Sequence, residues 1–335
     1  MNNTLPLNLA IHRMTFLRTT EKLLLSQTFS SLKELLRVSK QEISFLIRRQ
    51  IRKPMIDASA LSRLVEQDII YLREHDVRPL FYPDVSYPRR LREIYNPPFL
   101  LFCRGLLCDP SAETLGIVGT RYPSGCGRKS AFFLASQCGK ENISVVSGLA
   151  RGIDGEAHAG ALAGGAHTCA VFGSGIDCLY PADHKKLASD ILKKGGALLS
   201  EYPPGTPPLR YNFPERNRII SGLCRGVVIM EAPKKSGALI TADFALEQGR
   251  DVFVHEECIK TEKWEGSYRL VQEGAPVIFN LQNILADWGI QPSSTASSRQ
   301  TGEEKDAQIS LVLSKLLEEE LSEEVLFHKG EYIRR

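Results

Sequence analysis

Thr114-Leu115-Gly116-Ile117-Val118-Gly119-Thr120-Arg121-Tyr122-Pro123-Ser124-Gly125-Cys126-Gly127 carries a short apolar run into a glycine-rich turn, and a helix-length segment, residues 128–139, follows. A strand buried on both faces reads as a brief continuous apolar run, because helices cover either side of it. The pattern recurs downstream. Strands are expected at residues 115–118, 143–146, 168–172, 197–200, 226–230, 251–254 and 277–279, with helices such as 154–163 and 239–248 between them. This alternation predicts an α/β fold with a largely parallel, helix-covered sheet. In such sheets the working surface lies beyond the C-terminal ends of the strands.

Upstream the periodicity is different. Leu23, Leu24 and Leu25, then Leu32, Leu35 and Leu36, then Ile43, Leu46 and Ile47 recur at three- and four-residue steps, and a further helix is expected at 60–75. Tyr82-Pro83 and Asn96-Pro97-Pro98 then punctuate the chain into short strands and turns. Residues 1–105 therefore read as a small helical module with a connector, and 106–290 as the core domain. A Ser-rich linker is expected over 291–308. A short helical tail would occupy 309–335, apolar over 309–317 and acidic over 318–324.

The chain has 335 residues, a formal net charge of +3 and 43% hydrophobic residues, enough for a sizeable core. No apolar run reaches the length of a membrane span, and residues 1–17 lack a secretory pattern, so a cytoplasmic protein is expected. The eight cysteines include no C-x-x-C and no zinc spacing, which predicts reduced thiols, no structural disulfide and no metal. Charge is uneven. Residues 1–50 carry eight Lys/Arg against three Asp/Glu, and residues 210–250 carry seven against four. Local excess of this kind suffices for a polyanion.

The loops after the expected strands hold the informative residues. Gly119, Thr120 and Arg121 open the first, where backbone N–H groups and a helix N-terminus suit an anion; a plain tight turn with a solvated Arg121 is the alternative. G-x-G-x-x-G is absent and no acidic residue follows the second strand to hold a ribose, so a dinucleotide cofactor is not expected. Nor is there a phosphate-binding G-x-x-x-x-G-K-[ST]. The second loop is Ser147-Gly148-Leu149-Ala150-Arg151-Gly152-Ile153-Asp154, with Asp154 as an expected helix N-cap and Arg151 either its partner or turned to a ligand. His158, His167 and His184 read as packed or hydrogen-bonded side chains. The richest stretch runs from Arg210 to Arg218 and interleaves Arg210, Arg216 and Arg218 with Tyr211, Phe213, Asn212 and Asn217. Guanidinium forks fit phosphate, and aromatic faces stack on bases. A proline-rich surface loop with Phe213 packed inward and Arg216 paired to Glu215 is the structural alternative. Lys234, Lys235, Ser236 and Gly237 begin another helix. Paired carboxylates, a nucleophile elbow and a Ser/His/Asp order are all missing, so this rim reads as a binding surface rather than a catalytic one.

Four stretches together, GIVGTRYPS at 116–124, SGLARGID at 147–154, FPERNRIISG at 213–222 and SGALITADFALEQG at 236–249, resemble the DprA/Smf family of bacterial DNA-processing proteins. The resemblance implies an extended Rossmann-like domain that binds single-stranded DNA, forms homodimers, loads RecA recombinase during natural transformation, and uses no cofactor and no catalytic residues. It implies a DNA site at Gly119, Thr120, Arg121, Ser147, Gly148, Arg151, Arg210, Phe213, Arg216, Asn217, Arg218, Lys235, Ser236 and Gly237. Within that set Arg121 would meet phosphate, Arg210 and Phe213 would supply charge and stacking, Asn217 and Arg218 the pocket wall, and Lys235 and Ser236 the far side. Val254-His255-Glu256-Glu257 departs from the family's Val-Pro-Gly-like turn. The tail is too short for a full winged-helix domain and reads as a remnant of one. The alternative on this fold is a nucleotide-binding phosphoribohydrolase, whose P-G-G-x-G-T-x-x-E loop would fall at 235–244, with Phe244 at the glutamate's place and Glu247 one turn on.

Overall fold

The computed structural model describes residues 4–259, 262–293, 325–328 and 331–334. The chain divides into two units, Met1–Gln291 and Pro292–Arg335. In the first unit the helices are α1 (Leu5–Arg13), α2 (Thr19–Thr28), α3 (Leu32–Leu35), α4 (Lys40–Leu46), α5 (Ala58–Glu74), α6 (Arg89–Arg92), α7 (Gly125–Cys138), α8 (Ile153–Gly164), α9 (Lys185–Lys193), α10 (Asn212–Leu223), α11 (Gly237–Glu247), α12 (Glu265–Gln272) and α13 (Leu281–Asp287). The strands are β1 (Val77–Phe81), β2 (Leu100–Gly105), β3 (Glu113–Gly119), β4 (Ile143–Ser147), β5 (Thr168–Phe172), β6 (Ala197–Ser200), β7 (Gly226–Met230), β8 (Asp251–His255) and β9 (Val277–Ile278).

Those nine strands make one sheet in the order β1-β2-β6-β5-β4-β3-β7-β8-β9. From β6 to β9 all neighbours are parallel, and β2 alone runs against its neighbours β1 and β6. All seven expected strands form, within a residue or two of their predicted ends. Side chains alternate between faces, as the pleat requires. Val227 and Ile229 of β7 and Val252 and Val254 of β8 pack with α10, α11 and α12 on one face. Val228, Met230 and Phe253 point the other way, into α7, α8 and α13.

β1 and β2 lie in the stretch expected to be a connector and end at the predicted domain boundary of residue 105. Both extend the sheet. Pro79 breaks the strand pattern of β1 but is tolerated there because β1 is an edge, where a missing N–H spoils little. Leu100 and Phe102 of β2 join α1, α5 and α9 in a further buried cluster. Helix α1 was not legible from its periodicity: Leu7, Asn8, Leu9, Ala10, Ile11 and His12 are all buried, so no polar stripe marks a solvent face over these residues. Asp57 caps α5 by accepting from the Ser59 and Ala60 N–H groups, which fixes the start two residues before the expected one.

In the second unit Val325–His328 pairs antiparallel with Glu331–Arg334, with Val325 opposite Arg334. This hairpin replaces the helix expected across the end of the tail, while linker residues 294–308 and the apolar segment 309–317 lie outside the described residues. The seven cysteines with described side chains are free thiols.

Candidate nucleic-acid interface

The strand order reverses at β3: β4, β5 and β6 run off one side of it, and β7, β8 and β9 off the other. Loops leaving β3 and β7 therefore diverge, and the crevice between them is where ligands of open parallel sheets sit. A cleft of about 350 Å³ opens there, lined by Gly119, Thr120, Arg121, Tyr122, Asp154, Phe213, Arg216, Asn217, Lys235, Ser236 and Gly237, with Val118, Ala150, Pro214, Ile220, Pro233, Ala238 and Thr241. Nine of the expected site residues are brought together. Ser147, Gly148, Arg151, Arg210 and Arg218 do not line it.

The floor of the cleft is built before any ligand arrives. Gly119 lies so close to β7 that a Cβ would run into the Met230 carbonyl. Thr120 donates its N–H to the Glu231 carbonyl at 3.2 Å and accepts from the Ile153 N–H at 3.2 Å, tying β7 and α8 to one turn. Asn217 Nδ2 donates to the Gly237 carbonyl at 3.1 Å, which links α10 to α11 across the cleft. Ser236 caps α11 by accepting from the Ala238 N–H. Arg121 and Lys235 are exposed, and neither forms a salt bridge among the described residues. Phe213 is half-buried over the bare backbone of Gly173, with the Arg121 guanidinium 5.6 Å from its ring centre.

Arg216 has a different part from the one its loop suggests. It is 4% exposed and donates to the carbonyls of Gly148 and Val171, the first at 2.8 Å. Its charge is compensated by Asp154, not Glu215. Burial still pulls the guanidinium down to about 10, with Asp154 opposing that shift. Asp154 is correspondingly not an N-cap. Gly152 takes that position, with φ +78°, and the Asp154 carboxylate accepts from the N–H groups of Gly148 and Ala150 at 3.1 and 3.3 Å. Burial raises its pKa, partly offset by Arg216 and these two donors. Gly148 is pinned between the two side chains, where a Cβ would meet both.

The other absentees are explained by their partners. Ser147 is fully buried and donates from Oγ to the Ile117 carbonyl at 2.7 Å. Arg218 Nη2 donates to both carboxylate oxygens of Glu201, at 2.6 and 2.7 Å, and Arg218 does not line the cleft. Arg151 pairs with Asp183, and neither it nor exposed Arg210 faces the cleft. His158, His167 and His184 each hold a hydrogen bond, to Thr168, Leu106 and Leu149, as read.

One residue occupies the helix end of the expected phosphate turn. Glu231, at the end of β7, is buried with φ +49°, an uncommon conformation for a side chain of this kind. Its carboxylate accepts from the Ser124 N–H at 2.7 Å and from the Ser124 hydroxyl, while Ser124 Oγ caps α7 by accepting from the Gly127 N–H at 2.9 Å. Gly127 has no room for a Cβ because that carboxylate sits there. The positive end of α7, where a nucleotide phosphate would bind, is filled by the protein's own anion. The alternation of β-rich runs gives no hint of this, since it depends on β7 returning beside β3. Tyr122 and Tyr180, exposed near Phe213, were likewise missed.

Among the lining residues the only carboxylate is Asp154, already engaged by Arg216. Phe244 is not in the cleft, and Glu247 is exposed at the far end of α11. The geometry offers cations, amides and an aromatic ring, without a placed acid or base.

Residues 78–289 match the family model described as DNA recombination-mediator protein A. Protein Smf of Synechocystis sp. is 42% identical over 229 residues, which is 66% of this chain and 57% of that protein. DNA processing protein DprA of Streptococcus pneumoniae is 45% identical over 206 residues, 61% of this chain and 72% of its own length. The chain thus spans little more than half of the Synechocystis relative. Of solved structures, the X-ray structure of DprA from S. pneumoniae is similar with a TM-score of 0.66 at 33% identity, covering 83% of this chain and 95% of that one. DprA from Helicobacter pylori, solved for its single-stranded DNA binding mode, gives 0.56 at 28% identity over 63% of this chain and 95% of that one.

Proposed function

Because the chain belongs to the DNA recombination-mediator protein A family, the DprA/Smf proteins, we propose that its switch-point cleft binds single-stranded DNA and that the protein delivers that strand to RecA recombinase during transformation and recombination. The single observation that carries the reading is the pairing of exposed Arg121 and Lys235 with the Phe213 ring across one cleft that lacks a free carboxylate. Cations hold phosphates without regard to sequence, and an aromatic face stacks on any unpaired base. The H. pylori relative, described for binding single-stranded DNA, supports the same substrate. The chemistry of the lining supports binding rather than catalysis and disfavours a phosphoribohydrolase, which needs a free carboxylate at the ribose. Homodimer formation and a cytoplasmic setting belong to the same proposal; among the described residues no helix is long and apolar enough to cross a membrane.

The test is fluorescence anisotropy with a labelled oligo-dT and a matched duplex over a salt series. Wild type should prefer the single strand and weaken as salt rises, because bound phosphates release counterions. Arg121→Glu/Lys235→Glu should abolish that preference while the melting temperature stays near wild type, since both side chains are exposed. Equal binding of duplex and single strand at low salt would overturn the reading. RecA delivery is tested separately, by filament formation on strands precoated with single-strand-binding protein.

A further inference from the structure

Tyr180 stands in the loop between β5 and α9, outside the stretches that carry the family resemblance. Its ring centre is 5.6 Å from that of Phe213, tilted by 55°, and the side chain is 48% exposed. The Arg121 guanidinium lies 5.6 Å from the same ring centre. Tyr122, 79% exposed, follows Arg121 directly, and Arg151 lies within electrostatic range of both phenol groups. Aromatic and guanidinium groups thus cluster where Arg121, Tyr122 and Phe213 line the cleft, with Tyr180 beside them. Exposed aromatics scattered singly call for no explanation, but a cluster beside a cationic cleft marks a contact surface. Phe213 cannot sink further inward, because Gly173 lies against its ring. With ring centres 5.6 Å apart, Tyr180 is within reach of the neighbour of a base stacked on Phe213.

We propose that Tyr180 stacks a second, adjacent base, so that the site grips two consecutive unpaired nucleotides. The inference rests on the single-strand reading of the cleft and deepens it. A phenol ring half in solvent offers one face at little cost in side-chain entropy, and base–aromatic stacking tolerates every base.

The experiment compares wild type, Tyr180→Ala and Tyr180→Phe by anisotropy on labelled oligo-dT and on an oligomer of the same length made of abasic nucleotides. Tyr180→Ala should bind oligo-dT roughly 5- to 100-fold more weakly, the range that loss of one stacked base implies. Tyr180→Phe should restore binding, because the face and not the hydroxyl is used. On the abasic strand all three proteins should bind alike, and the salt slope on oligo-dT should be unchanged, since no phosphate contact is lost. Wild-type affinity in Tyr180→Ala would overturn the proposal while leaving the single-strand reading intact. An equal deficit on the abasic strand would also overturn it, by showing a structural rather than a stacking role. Failure of wild type to prefer the single strand would remove both.

Discussion

Arg216 and Lys235 are both basic and both line the cleft, yet burial separates their roles. Lys235 is exposed and can meet a phosphate, whereas Arg216 spends its donors on the Gly148 and Val171 carbonyls and its charge on Asp154. Removing one member of a buried pair strands the other, at about 3–5 kcal/mol. Arg216→Ala is expected to lower stability by an amount of that order in urea unfolding and to lose DNA binding with it, whereas Lys235→Ala weakens DNA binding at unchanged stability. An Arg216→Ala protein as stable as wild type would show that the Asp154 pairing contributes little. The composition of their two strand-end loops marked both residues alike; the difference between them is set by depth, which depends on packing against β4 and β5.

At the scale of elements, the join between β7 and α7 distinguishes this sheet from a nucleotide-binding one. Glu231 supplies to α7 the negative charge that a bound phosphate supplies elsewhere. Glu231→Ala should destabilise the protein by about 1–3 kcal/mol, the usual cost of leaving buried donors unpaired. Millimolar phosphate should then recover part of the lost melting temperature, beyond the rise it causes in wild type at equal ionic strength. No differential recovery would mean that the vacated helix end is not an anion site. Sequence inspection placed α7 and β7 correctly but could not join them, since Ser124 and Glu231 stand 107 positions apart in the chain.

At the scale of the whole molecule, buried histidines govern the acid side of stability. Burial lowers His12, His158 and His167, and His158 falls to about 3. The Thr168 hydroxyl donates to the Val145 carbonyl, so it accepts from His158 Nδ1–H, leaving Nε2 buried without a partner. Each of these groups is neutral in the fold and takes a proton on unfolding once the pH drops below about 6.5. Their contribution is therefore fully present above that pH and is lost as pH falls toward the folded values. The raised carboxylates Asp68 and Asp154 oppose this trend, chiefly nearer pH 4. Thermal melts between pH 7 and 4.5 should show a falling melting temperature, with a shallower fall in His158→Phe. A flat profile in wild type would mean that the unfolded chain gains no protons over this range.

The sequence by itself determined the class of the fold and which residues stand at its strand ends. Short apolar runs and intervening helices require a covered parallel sheet, and its glycine, hydroxyl and cationic residues sit at strand ends. Those signals are local, so they survive in the linear order of residues. Tertiary structure decided which of them face the same space. It turned Arg218 to Glu201 and buried Ser147, and it brought Tyr180 to Phe213 from 33 positions away. It also set Glu231 into the turn that looked ready for phosphate. The reason is physical: a side chain's chemistry belongs to the residue, but its exposure, charge partner and neighbours come from strands that meet only when the sheet closes around β3.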